Sequence, residues 1–219
     1  VSIKSNLLKI LKDLPKEVTL VAVSKTKTQM EIMEAYKAGQ RIFGENKIQE
    51  MAGKWSALPK DIEWHMIGHV QTNKVKYMSE FVTLIHGVDS LKLLKEINKQ
   101  GIKHNRTINC LLQVHIAQEQ TKFGLDEKEL FEILESPEFR TLGNVRIKGL
   151  MGMASFTDNE EQIHREFSNL NSIYLKLLNK VPDANILSMG MSGDYKIAIE
   201  EGSNMVRIGS SIFGGRNYP

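Results

Sequence analysis

Eight short apolar runs, often β-branched, recur along the chain at 19–24, 41–43, 63–67, 81–88, 107–116, 145–153, 185–189 and 204–208. Segments of helical spacing lie between them, such as Met30, Ile32, Met33, Tyr36 and Ala38, or Phe167, Leu170, Ile173, Leu177 and Leu178. Strands that alternate with helices imply a parallel sheet covered by helices. Eight such units predict a closed (β/α)8 barrel of the α/β class, with an additional N-terminal helix at 2–12. An open doubly wound sheet is the alternative. The 219 residues suit one barrel, because that fold starts near ~200 residues. We therefore expect a single domain over 1–219, with no linker and no low-complexity segment.

Local punctuation supports these units. Thr28, Ser90, Asp126 and Asp194 stand where helix N-caps are needed, and Gly39, Gly101 and Gly202 where helices end. Gly44, Gly68, Gly87, Gly152, Gly190 and Gly209 follow strands closely. In a barrel that end carries the active site, and glycine there allows tight turns and close approach to a ligand.

Composition excludes several functions. Lys plus Arg number 29 and Asp plus Glu 26, a net charge of +3 with the signs interleaved, so no basic arm for nucleic acid is present. No apolar stretch of ~18 residues is present to span a membrane. The single cysteine, Cys110, lies in an apolar run and has no internal partner, which points to a reducing, cytoplasmic compartment. The N-terminal segment reads as a helix and not as a signal peptide.

Two cations interrupt this apolar pattern. Lys25 ends the first run and shares a face with Val21 and Val23 by period-two alternation. If those valines point inward, Lys25 enters the barrel mouth, where loss of water favours a neutral nucleophilic amine. Such amines form Schiff bases with aldehydes, including pyridoxal phosphate. A solvated loop lysine is the plainer reading, since Lys27 looks solvated nearby. Arg207 lies inside the last run and needs a partner there: an acidic side chain, a phosphate or a ligand ring nitrogen. The turns Gly190-Met191-Ser192-Gly193-Asp194 and Gly209-Ser210-Ser211 each open a helix. Barrels often build phosphate sites from the loops after strands seven and eight.

The segment 64–74 is dense in polar groups. His65 is either core or ligand contact, and His69, Gln71, Asn73 and Lys74 open the following helix. His65 and His69 are four apart, but a strand-to-turn setting does not put them on one helical face, and no third ligand stands out for a metal. Asn46, after Phe43-Gly44-Glu45, caps a helix or faces the mouth. Thr121-Lys122-Phe123-Gly124 reads as a turn closing over the same face. Met151, Met153, Met189 and Met191 fill core or line a pocket.

Several motifs together carry a resemblance. They are Val23-Ser24-Lys25-Thr26, Phe43-Gly44-Glu45-Asn46, His65-Met66-Ile67-Gly68-His69 with Gln71 and Asn73-Lys74, Gly149-Leu150-Met151, Ser188-Met189-Gly190-Met191-Ser192, and Val206-Arg207-Ile208-Gly209 with Ile212-Phe213-Gly214. In this order, from about 20 to 218, the chain resembles the pyridoxal phosphate homeostasis protein family. That family is similar to the N-terminal barrel of alanine racemase. The resemblance implies a Schiff base of pyridoxal 5′-phosphate on Lys25, with Arg207 facing the pyridine nitrogen. It implies phosphate contacts from Ser192, Gly193, Gly209 and Ser210, and Asn46 in the pocket. Lys47 departs from the aromatic residue more usual there, and Gly193 replaces a larger one, which leaves its contact to the backbone.

Three functions compete. The first is a non-catalytic protein of intracellular pyridoxal phosphate homeostasis that holds the cofactor and passes it to apoenzymes. The second is a fold-type III amino-acid racemase with weak activity. Racemases of that type take a tyrosine base from a further C-terminal domain. Tyr195 and Tyr218 are the nearest candidates here, and neither matches that motif. The third is a Schiff-base aldolase acting on a sugar phosphate. The first is the expectation, with no dedicated catalysis, no metal, no nucleic acid or membrane partner, and a monomeric state.

Overall fold

A computed structural model describes residues 2–120 and 123–215. Thr121, Lys122 and Tyr218 lie outside them. The described residues contain eight parallel strands that close into a barrel in chain order: β1 (Thr19–Val23), β2 (Ile42–Glu45), β3 (Glu63–Met66), β4 (Leu84–Val88), β5 (Ile108–Gln113), β6 (Val145–Met151), β7 (Ile186–Met191) and β8 (Met205–Ile208). Pairing of β8 with β1 completes the ring and sets Val21 beside Arg207 and Ala22 beside Ile208. This closure rules out the open sheet. Each expected run overlaps a strand, and β2 and β7 extend two residues beyond the runs at 41–43 and 185–189.

The helices are α1 (Ile3–Asp13), α2 (Gln29–Lys37), α3 (Ile48–Ala57), α4 (Leu91–Lys103), α5 (Glu127–Glu135), α6 (Glu160–Leu178), α7 (Tyr195–Glu200) and α8 (Ser210–Phe213). Between β3 and β4 the chain forms only a 3-10 turn, Thr72–Tyr77, instead of a full helix. Only Val75 is buried within it, so little apolar surface supports a longer element.

Capping explains most helix ends. Thr28 and Asp126 each form a capping box, with Glu31 and Glu129 respectively, and Ser90 accepts the Leu93 amide. Gly39 and Gly202 end α2 and α7 with positive φ. Two expectations need correction. Gly101 lies inside α4, where an added Cβ would sit 2.8 Å from the Arg106 carbonyl oxygen and 2.9 Å from that of Asn144. Asn105 ends that helix instead, at φ 52°, with Arg106 N–H bonded to the Gly101 carbonyl and Asn105 N–H to that of Ile102. Asp194 does precede α7, but its carboxylate accepts the Met191 amide at 2.6 Å and does not cap the helix.

The core has two layers. The larger packs outward-facing strand residues, such as Phe43, Trp64, Ile85, Leu112, Leu150 and Leu187, against helix residues such as Ile32, Met51, Leu94 and Phe167. The smaller fills the barrel with Val21, Leu84, Leu111, Met151 and Met205. Cys110 is buried in the larger layer, and Met189 also belongs to it. Among the described residues no helix is long and apolar enough to cross a membrane.

Candidate functional site

Inside the barrel, a polar cluster lies beside the small apolar layer. His65 Nδ1 meets His86 Nε2 at 3.0 Å, and His86 Nδ1 meets the Ser188 hydroxyl at 3.0 Å. Arg207 donates to the same hydroxyl at 2.5 Å and to the Gly152 carbonyl at 3.2 Å. These side chains come from β3, β4, β7 and β8, so they can meet only within the barrel. All four are buried. Arginine has donors only, so the Ser188 oxygen accepts from it. The Ser188–His86–His65 contacts run in either direction according to the ring tautomers, and both rings are neutral in each. Burial lowers His65 to about 3 and His86 well below its ordinary value, the latter also through the proximity of His65 and Arg207. Burial lowers Arg207 to about 10, while the nearby Asp194 carboxylate acts in the other direction. His65 is thus core, the first of the two readings above.

Beyond this cluster the carboxyl ends of the strands open on a cavity of about 570 Å³, within the usual range for a small-molecule site. Lys25, Asn46, Ser192, Gly193, Arg207, Gly209 and Ser210 all line it. Val21 belongs to the inner layer and Val23 lines the cavity, so the alternation that puts Lys25 in the mouth holds. Lys27 is not solvated: its ammonium donates to the Phe213 and Gly215 carbonyls and pairs with Glu31. Lys47 is exposed and does not contribute to the wall. The two Gly/Ser turns are tied together, because the Gly209 amide donates to the Ser192 hydroxyl at 3.2 Å. Gly193 has open space where a side chain would stand, so backbone is what it presents.

The outer wall is aromatic. Phe123 stacks on His69 with ring centroids 3.8 Å apart and planes 13° apart, and His69 Nδ1 lies 3.6 Å from Asp89. Phe156 stands 99% exposed on the rim. Met153 and Met191 line the cavity, whereas Met151 and Met189 are core. His65 and His69 have separate partners, and no group of three metal-ligating side chains occurs among the described residues. Sequence reasoning missed His86. A histidine within an apolar run was its signal, the same kind of signal that singled out Arg207.

Comparison with known proteins identifies the family. The alanine racemase N-terminal domain family matches residues 1–217. A pyridoxal phosphate homeostasis protein of Vibrio alginolyticus is 41% identical over 210 residues, 93% of this chain and 89% of its own. PipY of Synechococcus elongatus, solved without PLP, superposes with a TM-score of 0.92 at 34% identity, covering 97% of this chain and all of its own. The same protein with PLP bound gives 0.88. A closed barrel with Lys25, Arg207 and two Gly/Ser turns on one cavity, and relatives of such identity along nearly its whole length, show that the chain belongs to the pyridoxal phosphate homeostasis protein family, built on the alanine racemase N-terminal domain.

Proposed function

We propose that this protein binds pyridoxal 5′-phosphate, held through Lys25 as a Schiff base, and serves intracellular homeostasis of that cofactor without dedicated catalysis. The observation that carries the reading is the convergence of Lys25, Arg207 and both Gly/Ser turns on one cavity. When bound, the cofactor supplies an aldehyde, with which a lysine amine forms a C=N bond as water is lost. Lys25 provides that amine. Ser192 and Ser210 offer hydroxyls to the phosphate and Gly193 its backbone, while the Gly209 amide reaches it by sharing or leaving its bond to the Ser192 hydroxyl. Asn46 contributes a polar wall.

Arg207 supports the fit. Its two hydrogen-bond partners above, a hydroxyl and a carbonyl, are neutral, and with the Asp194 carboxylate as its nearby counter-charge it lines the cavity as a buried cation suited to an electron-rich ring nitrogen. A cation at that nitrogen opposes its protonation and weakens the ring as an electron sink, which suits holding over catalysis. Tyr195 supports the same view. It packs against the large apolar layer and does not line the cavity, so it is not placed as the base a racemase needs. Cytoplasmic location, a monomeric state and transfer of the cofactor to apoenzymes belong to this reading.

Borohydride reduction followed by mass spectrometry tests it. The expected adduct is on Lys25, and Lys25→Ala abolishes both the adduct and the visible absorbance band. An adduct elsewhere overturns the lysine assignment. Rapid deuterium exchange at the α-carbon of alanine overturns the non-catalytic role. Activation of an apoenzyme no faster than by free cofactor removes the transfer role.

A further inference from the structure

The two peptide groups that flank Lys25 are held by one knot of charged side chains outside the cavity wall. Lys54, in α3 and 7% exposed, donates to the Ser24 carbonyl, to Glu45 Oε1 and to Glu50 Oε1, each at 2.7 Å. Three bonds use the full donor capacity of its ammonium. Glu50 Oε1 also accepts the Thr26 amide at 2.7 Å, and Glu45 Oε1 accepts the Ser24 hydroxyl at 2.5 Å. The carbonyl just before the Lys25 Cα and the amide just after it are therefore tied to the same ammonium and carboxylates. Thr26 has φ 63°, a left-handed conformation uncommon for a β-branched residue. Such backbone persists only where its surroundings impose it, and here the turn closed by the Lys27 amide on the Ser24 carbonyl and the Glu50 bond to the Thr26 amide hold it together. None of Glu45, Glu50 and Lys54 lines the cavity.

We infer that Glu45, Lys54 and Glu50 are positioning residues that aim Lys25 into the cavity and so set how fast it captures and releases the cofactor. This rests on Lys25 being the capturing residue. Misplacing a reacting group by about 1 Å can slow a reaction roughly a hundredfold, whereas contacts to phosphate and ring do not pass through this knot.

Glu50→Ala is the informative variant. The Glu50 side chain is 25% exposed, and its loss leaves Lys54 paired with Glu45. Three quantities are measured beside the parent protein: hydrogen exchange of the Thr26 amide without ligand, the rate of the absorbance change on mixing with pyridoxal phosphate, and affinity for pyridoxine 5′-phosphate. The last carries an alcohol in place of the aldehyde and cannot form the covalent link. Glu50→Ala is expected to speed Thr26 exchange, slow capture by roughly ten- to a hundredfold, and leave pyridoxine phosphate affinity within about twofold. Glu50→Gln keeps an acceptor for Thr26 and is expected to restore most of the rate. If Glu50→Ala does not fold, Glu50→Asp gives the same comparison with the carboxylate drawn back from Thr26. Capture at the parent rate overturns the positioning role alone, as does an equal loss of capture and of pyridoxine phosphate affinity. No reducible adduct on Lys25 in the parent protein overturns the lysine assignment and this role with it.

Discussion

The guanidinium of Arg207 and the hydroxyl of Ser188, 2.5 Å apart, join the cavity to the interior of the barrel. Through Ser188 the contact continues to His86 and His65, so the orientation of Arg207 depends on groups that do not line the cavity. Ser188→Ala leaves an arginine N–H and His86 Nδ1 without this partner in a buried setting. The expected loss of stability is about 1–3 kcal/mol, read from the urea midpoint. A double-mutant cycle with His86→Leu should show coupling of about 0.5–3 kcal/mol. Additive losses would mean that the two residues do not act through one chain of bonds.

The same histidines set a pH dependence. Each binds a proton less readily in the folded chain than at its ordinary value of 6.5. Below about pH 6.5 the unfolded chain therefore carries more protons. Stability from this source is full above that pH and is lost as pH falls, for His65 down to about pH 3. The slope approaches about 1.4 kcal/mol per pH unit for each histidine. Glu45, pushed up by burial, acts in the opposite sense above its ordinary value. Comparing the parent with a His65→Leu, His86→Leu variant isolates the histidines. Urea midpoints at pH 7 and pH 5 should differ less in the variant, and an unchanged difference would count against the assignment.

Two glycines are expected to respond to alanine with opposite signs. Gly149 has φ 148°, and a Cβ there would lie 1.7 Å from the Ile186 carbonyl oxygen. Gly149→Ala should cost more than about 2 kcal/mol. Gly53 lies on the exposed side of α3 with nothing within 4 Å of an added Cβ. Gly53→Ala should stabilise by about 0.5–1 kcal/mol. Thermal melting of both checks the pair.

Cys110 is fully buried, and burial pushes its thiol well up from its ordinary value. It should resist iodoacetamide in the native protein and react once urea unfolds the chain. Mass spectrometry of pulse-labelled samples follows this, and prompt native labelling would refute it.

The strands were legible because barrel strands, buried on both faces, form nearly continuous apolar runs. Lys25 and Arg207 stood out as charges at the end of such a run or within one, and the Gly/Ser turns followed from their place after strands seven and eight. What the sequence hid depends on pairing across the molecule. Ser188 and His86 are 102 positions apart and meet only once the barrel forms. Lys54 looks like any surface lysine of a helix until Glu45 and the end of β1 are placed beside it. Gly101 reads as a helix end in the sequence because glycine is the usual residue there. Asn105 served instead, and the glycine was required by the close approach of two carbonyl oxygens.

Closure of the barrel has a consequence for biogenesis. Lys25 follows the first strand, while Arg207 and Gly209 come from the last and the turn beyond it. They share a cavity only because β8 pairs with β1. A growing chain therefore cannot assemble the pocket until its final strand has docked. Any ligand that engages both sides bridges the seam between first and last strands, and it favours the completed ring over forms in which β8 has frayed.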